Sequence, residues 1–360
     1  MKIAQIAPLW ESVPPVLYGG TERIVSFITE ELVRQGHEVT LFASGDSSTK
    51  SRLMPMCAEA LRSSKVVMNY EAPVTAMIEK VYGSAAEFDL IHSHLEFIPF
   101  PLARRCRTPT LTTLHARLDQ PELIPVFRKF ADLPLVSVSE AQREPLSWAN
   151  WQATIHPGIP ASLYTPQYNQ GRYLVFLGRV APEKGLDRAI EIAKRTEMPL
   201  RIAAKIDSQH VEYYKAVIEP LLDHPLIEFV GEVTDIEKDD LLGNAYALLA
   251  PYAWPEPFGL ALIEALACGT PIVGSRCGAI PEIVDHGVTG FLCDSLDEMT
   301  QSIRHVSLLE RSRCRQNFER RFSSERMARE YVTVYGHLLG IHDKTPSSDL
   351  ASGLTASGQA

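Results

Sequence analysis

The sequence predicts an α/β protein of two doubly wound domains that face each other across a central cleft. Three observations predict it. Short apolar, strand-like runs alternate with amphipathic helical segments along nearly the whole chain, the order that βαβ units generate. That alternation is interrupted once, by a stretch from Pro157 to Gly171 with three prolines and several turn residues, and then begins again. The length of 360 residues also exceeds what one hydrophobic core usually holds.

In the first half, Lys2 to Ala7 reads as an apolar strand and Pro8 to Gly20 as a long loop. Thr21 is expected to cap a helix from Glu22 to Gln35, with Ile24, Val25, Ile28 and Leu32 on one side. Gly36 ends that helix, and His37 to Ala43 forms the next strand. Further strands are expected at 89–92, 110–114, 133–138 and 153–156, with helical segments between them. In the second half the series runs as strand 173–177, helix 186–196, strand 200–204, helix 208–221 and strand 227–230. Asp235 is expected to cap a short helix, 247–250 and 271–274 add strands, and helices from about Leu296 close the chain. Residues 343–360 are rich in Ser, Thr, Gly and Ala without apolar periodicity and read as a disordered tail.

Composition narrows the function classes. The net charge of −9, from 35 basic and 44 acidic residues, argues against a general nucleic-acid binder. The start is too quickly broken by Pro8 for a signal peptide, and no apolar run is long enough to span a membrane. The six cysteines lack paired zinc spacings, so they are expected to be reduced and mostly buried, in a cytoplasmic protein.

The motif richest in chemistry is P-E-P-F-G-L-A-L-I-E-A-L-A-C-G-T-P, Pro255 to Pro271. Pro255 and Pro257 hold Glu256 on a loop, Gly259 frees the turn, and Leu260 to Ala267 has helical composition. Glu264 therefore lies inside the helix and Glu256 at its mouth. A helix mouth offers unpaired N–H groups and partial positive charge, and carboxylates accept from hydroxyls. A second motif, G-R-V-A-P-E-K-G-L from Gly178, follows a predicted strand. Arg179 can grip phosphate oxygens with a planar fork, and Lys184 adds a compact charge. Tyr18-Gly19-Gly20-Thr21-Glu22 also opens a helix, where two glycines let the backbone approach a phosphate; a plain tight turn is the other reading. It is not the G-x-G-x-x-G dinucleotide fingerprint. His115 ends one strand, and His92 and His94 end another. The H-x-H spacing has no supporting metal-ligand pattern. Glu282, after Gly278-Ala279-Ile280-Pro281, is expected to be a first-turn dipole partner of its own helix.

These residues resemble glycosyltransferase family 4, retaining enzymes of the GT-B type with two Rossmann-like domains. The resemblance runs from Met1 to about Gly340. It rests on Y-G-G-T-E, T-L-H-A, H-P-G-I, G-R-V-A-P-E-K-G and the E-x7-E of Glu256 and Glu264. It implies an N-terminal acceptor-side domain at 1–160, a linker at 161–171 and a donor-side domain at 172–320. A helix at 321–342 would return to the first domain, ahead of the tail at 343–360. It implies transfer of a hexose-type sugar from a nucleotide-sugar, with UDP favoured, to a small-molecule, lipid or glycan hydroxyl, without a metal. Arg179 and Lys184 would hold the diphosphate, and Gly19 and Gly20 would contact it from the first domain. Glu264 would accept from ribose hydroxyls. Glu256 would hold the donor sugar, helped by the backbone N–H groups of Phe258, Gly259 and Leu260, and His115 would contact the sugar near its anomeric centre. The acceptor is expected in the stretch Asp46 to Tyr82 and around His94 and Arg117.

The chain departs from the family in two places. Ala204-Lys205-Ile206-Asp207 stands where many relatives carry a glycine-rich turn, so Lys205 is either a third cation near the phosphates or a shield for the loop. Pro160-Ala161 stands where an acidic residue is commoner. Two other activities fit the same fold: a nucleotide-sugar epimerase or hydrolase, and a non-catalytic nucleotide-sugar-binding protein. The basic cluster Arg104-Arg105-Cys106-Arg107 reads as a solvated helix end or, at most, a peripheral membrane contact.

Overall fold

A computed structural model describes residues 1–62, 64 and 69–341 of the chain. The expected tail lies outside the described residues. Seven strands form the first sheet: β1 (Lys2–Ile6), β2 (Glu38–Ala43), β3 (Arg52–Pro55), β4 (Leu90–Ser93), β5 (Thr110–Thr113), β6 (Leu135–Ser137) and β7 (Trp151–Thr154). Their spatial order is β3-β2-β1-β4-β5-β6-β7. Six more form the second: β8 (Tyr173–Arg179), β9 (Leu200–Lys205), β10 (Ile227–Gly231), β11 (Ala245–Ala250), β12 (Ile272–Ser275) and β13 (Gly290–Cys293). Their order is β10-β9-β8-β11-β12-β13. The pairings in both sheets are parallel.

The sequence pattern explains this. Strands covered by helices on both faces need apolar side chains in both directions, and β2, β4, β5 and β11 are almost wholly buried. Gln5 is the polar interruption in β1 and is fully buried. Because every strand runs the same way, each sheet brings all its carboxyl ends, and the loops that follow them, to one edge.

The final helix, Ser324–Leu338, leaves the second half of the chain and packs on the helix Gly20–Arg34. Met327, Tyr331, Val334 and Tyr335 share a core with Ile3, Ile28, Leu90 and Leu111 of the first sheet and its helix. The helix Arg311–Arg321 packs on Leu260–Ala267.

Several local expectations are corrected. Gly19, not Thr21, is the N-cap of the first helix, which begins at Gly20. A Cβ at Gly19 would lie 2.7 Å from Pro15 Cβ, so only glycine lets the loop fold back there. Thr234, not Asp235, caps the helix Asp235–Gly243, in a reciprocal capping box with Glu237. The expected helix at 208–221 is a series of short 3₁₀, α and π turns, consistent with Pro220, which lacks an N–H and clashes with the preceding turn. The edge strands β3 and β13 were not anticipated, and β7 begins at Trp151 rather than Ala153. All three are short, and short edge strands carry little apolar signal.

Candidate active site

A cavity of about 440 Å³ lies where the carboxyl ends of the two sheets face each other. On the second-domain wall, β8 ends on Arg179. Its guanidinium donates to Glu183 at 3.1 Å and lies 3.6 Å from Asp207. The chain then makes a tight turn, Pro182–Lys184, that ends on Gly185 in the left-handed region. A Cβ at Gly185 would sit 2.2 Å from the Pro251 carbonyl, so the motif needs glycine there. That turn buries Lys184 and aims it at the loop after β11. Lys184 Nζ donates to Glu256 Oε2 at 2.6 Å and lies 4.7 Å from the centre of the Tyr252 ring.

The Glu256 loop is held from behind. Ala279 N–H donates to the Glu256 carbonyl at 3.0 Å, and a Cβ at Gly278 would lie 2.4 Å from Glu256 N. The turn Gly278-Ala279 is thus the cradle of this loop. The helix Leu260–Ala267 starts after Gly259 with no side-chain cap. The first-turn N–H groups of a helix have no intrahelical partner. Phe258 packs its ring beside His156 and Phe322. Inside the helix, Glu264 accepts from Lys238 Nζ at 2.8 Å and from the Tyr164 hydroxyl at 3.1 Å. Lys238 also lies 3.4 Å from Asp235, which pairs at 2.6 Å with Arg23 of the first-domain helix. The sequence reading missed Lys238 and Arg23, which line the cavity, and Asp235, which pairs with both.

On the first-domain wall, Gly19 and Gly20 line the cavity, and a Cβ at Gly20 would lie 3.6 Å from Leu260 Cδ1. His115 lines it after β5. Glu96, at positive φ, accepts from the backbone N–H groups of His115 at 2.8 Å and Ala116 at 3.1 Å. Burial pushes the Glu96 carboxyl up to about 7, against those two hydrogen bonds. Burial also lowers the His115 imidazole to about 4. Lys205 ends β9 within the same cavity, 3.7 Å from Glu11 of the first domain, 3.9 Å from Asp207 and above the Tyr18 ring. Arg62 donates to Glu11 at 2.9 Å, and Trp10, partly exposed, stacks at a tilt on Tyr70. Only an unremarkable loop position marks Trp10 in the sequence, and nothing there signals its place on the wall.

The structure moves two residues expected near the acceptor, His94 and Arg117, away from the cavity. His94 is 1% exposed, held between Gln5 and His115, so it cannot touch an acceptor. His92 is wholly buried between Thr113 and Tyr335. Both ring nitrogens of each histidine are engaged, which accounts for the H-x-H spacing. Arg117 pairs with Asp119 and lies 5.2 Å over the Trp254 ring, outside the cavity lining. Glu282 is no partner of its own helix alone. It accepts from the N–H groups of Glu140 and Ala141, at the start of a first-domain helix, and from His156. Arg104, in the basic cluster, sits at an exposed helix end and pairs with Asp132. Among the described residues, no helix is long and apolar enough to cross a membrane, and no three metal-ligating side chains are grouped.

Comparison with known proteins agrees with this architecture. Residues 18–160 match the family described as Glycosyltransferase Family 4, and residues 165–325 the family described as Glycosyl transferases group 1. The phosphatidyl-myo-inositol mannosyltransferase of Mycolicibacterium smegmatis is 24% identical over 383 aligned positions, 95% of this chain and 94% of that protein. The N-acetyl-alpha-D-glucosaminyl L-malate synthase of Bacillus anthracis is 38% identical over 119 residues, but these span only 31% of this chain and 30% of that one. Among solved structures, Anabaena Alr3699/HepE in complex with UDP superposes with a TM-score of 0.73 at 19% identity, covering 94% of this chain and 100% of that one.

Proposed function

From a chain that belongs to glycosyltransferase family 4, with the GT-B fold, we propose a retaining hexosyltransferase that moves a sugar from a UDP-sugar to a hydroxyl acceptor without a metal. One observation carries this reading. Arg179, Lys184, Glu256 and Glu264 from one domain, and Gly19, Gly20 and His115 from the other, line a single cavity.

The hard step is breaking the bond between the anomeric carbon and the diphosphate oxygen. Negative charge grows on the leaving phosphate and positive charge on the sugar. Arg179 and Lys184, with N–H groups at the start of the helices at Gly20 and Leu260, would stabilise the leaving charge. One such fixed donor typically supplies about 3–4 kcal/mol. Glu264 takes ribose hydroxyls and Glu256 takes sugar hydroxyls. A neutral His115 contacts the sugar without adding positive charge beside the developing cation. Glu256 shares its carboxylate with Lys184, which favours a binding role over attack on the anomeric carbon. The acceptor oxygen then bonds to the anomeric carbon on the face the phosphate leaves, and the acceptor proton passes to a phosphate oxygen. Trp10, Glu11 and Arg62 form the acceptor end of the cavity. GDP is the second nucleotide to test.

Thermal shift of the purified protein with UDP, GDP and ADP tests the reading. A ligand at a hundred times its dissociation constant stabilises by about 2.7 kcal/mol, several degrees in Tm. A rise with UDP alone supports the donor class, a rise with another nucleotide reassigns it, and no rise with any removes the phosphate roles of Arg179 and Lys184.

A further inference from the structure

We propose that Gln5 and His94 are positioning residues that set which ring nitrogen of His115 carries its proton, leaving His115 with a bare Nδ1 acceptor; the proposal rests on the reading above that His115 faces the donor sugar. The three side chains sit at neighbouring strand ends: Gln5 in β1, His94 just after β4 and His115 just after β5. Parallel register places Gln5 beside His92, two residues before His94.

The distances make a chain. Gln5 Oε1 lies 3.0 Å from His94 Nε2, and His94 Nδ1 lies 2.9 Å from His115 Nε2. Gln5 and His94 are almost completely buried, where a polar group is costly unless it is hydrogen-bonded. A neutral imidazole has one donor and one acceptor nitrogen. With the Gln5 carbonyl turned to it, His94 must donate from Nε2, so its Nδ1 can only accept. His115 must then donate from Nε2, and its Nδ1 is left as an acceptor. Burial holds both rings neutral, His94 well below the usual imidazole range.

The support reaches back to the last helix. The Gln5 amide lies beside the hydroxyl of Tyr335, which in turn lies 2.7 Å from His92 Nδ1. His92 Nε2 meets Thr113, and Thr113 meets the Tyr331 hydroxyl at 3.0 Å. Two tyrosines of Ser324–Leu338 thus back the layer that holds His115. The Gln5 amide nitrogen itself has no hydrogen-bond partner of good geometry. The amide orientation is therefore the hinge of the proposal, because turning it over would reverse every donor in the chain and give His115 an Nδ1–H.

Nitrogen-15 imidazole spectra of the ligand-free protein read the tautomer directly. The expected result is His115 with a bare Nδ1 and a protonated Nε2; the opposite pattern overturns the proposal. In Gln5→Leu both tautomers are expected. The affinity gained by UDP-glucose over UDP (or by GDP-mannose over GDP, if GDP is the nucleotide bound) should then shrink about twofold, the cost of binding through one of two comparably populated tautomers, with nucleotide affinity unchanged. A lower Tm with an unaltered tautomer would mean that Gln5 only fills the core, against the proposal. A changed tautomer with an unchanged sugar increment would uphold the relay and refute the placement of His115 against the sugar.

Discussion

Lys184 and Glu256, 72 positions apart in sequence, meet at 2.6 Å with both side chains 11% exposed. Each belongs to a separate motif, and each motif delivers its residue through a turn that needs glycine, Gly185 in one case and Gly278 behind the other. Lys184 and Glu256 are thus one electrostatic unit. Removing one partner of a buried pair typically costs about 3–5 kcal/mol, because the other charge is left without compensation. Lys184→Met is expected to destabilise the protein on that scale, and Lys184→Met/Glu256→Gln to be more stable than Lys184→Met alone. Urea unfolding of the four corners of the cycle checks this, and strict additivity would deny the coupling.

Gly278→Ala tests the cradle behind Glu256. An alanine at this positive φ costs about 1–3 kcal/mol in backbone strain, and its Cβ would press on Glu256 N. The variant should fold with a lower Tm and lose turnover more than nucleotide affinity. Equal losses in both would place the defect outside the Glu256 loop.

Glu282 joins the two domains through the N–H groups of Glu140 and Ala141 and the His156 ring. Burial pushes its carboxyl up, but the His156 and backbone hydrogen bonds outweigh it and hold the group below the usual range. A carboxylate with a depressed folded pKa contributes stability above its unfolded pKa, and loses it as pH falls through the folded one. Glu282→Gln should therefore be less stable than wild type at pH 7, with the gap closing below about pH 4. Paired denaturation curves across that range decide it.

Glu96 has the opposite sign. Its folded pKa is raised to about 7 from 4.5, so the stability linked to its proton is full below 4.5 and lost as pH rises through 7. Glu96→Gln keeps an acceptor for the His115 and Ala116 N–H groups but carries no charge. Its Tm relative to wild type should rise between pH 5 and pH 8. A difference that stays flat would show that the carboxyl is not held protonated.

Much of the architecture was legible from near neighbours in sequence. The helix at Leu186–Thr196 lies where its apolar spacing put it. The strands β1, β8 and β9 agree with their apolar runs to within two residues. Glu256 and Glu264 sit on a loop and a helix as Pro255, Pro257 and Gly259 require. Such features follow from steric and burial preferences acting over a few residues, and these are written locally. The pairing of charges is not. Nothing in the residues around Glu264 names Lys238, and nothing around Arg23 names Asp235, 212 positions away. His92, His94 and His115 look alike as strand-end histidines. Yet two of them are enclosed by Gln5, Thr113 and Tyr335 while the third lines the cavity. Which carboxylate meets which cation, and which imidazole meets the cavity, depends on how two parallel sheets bring their carboxyl ends together and where the last helix docks. Tertiary packing alone decides those, because a charge attracts any opposite charge and only the fold determines which one is near.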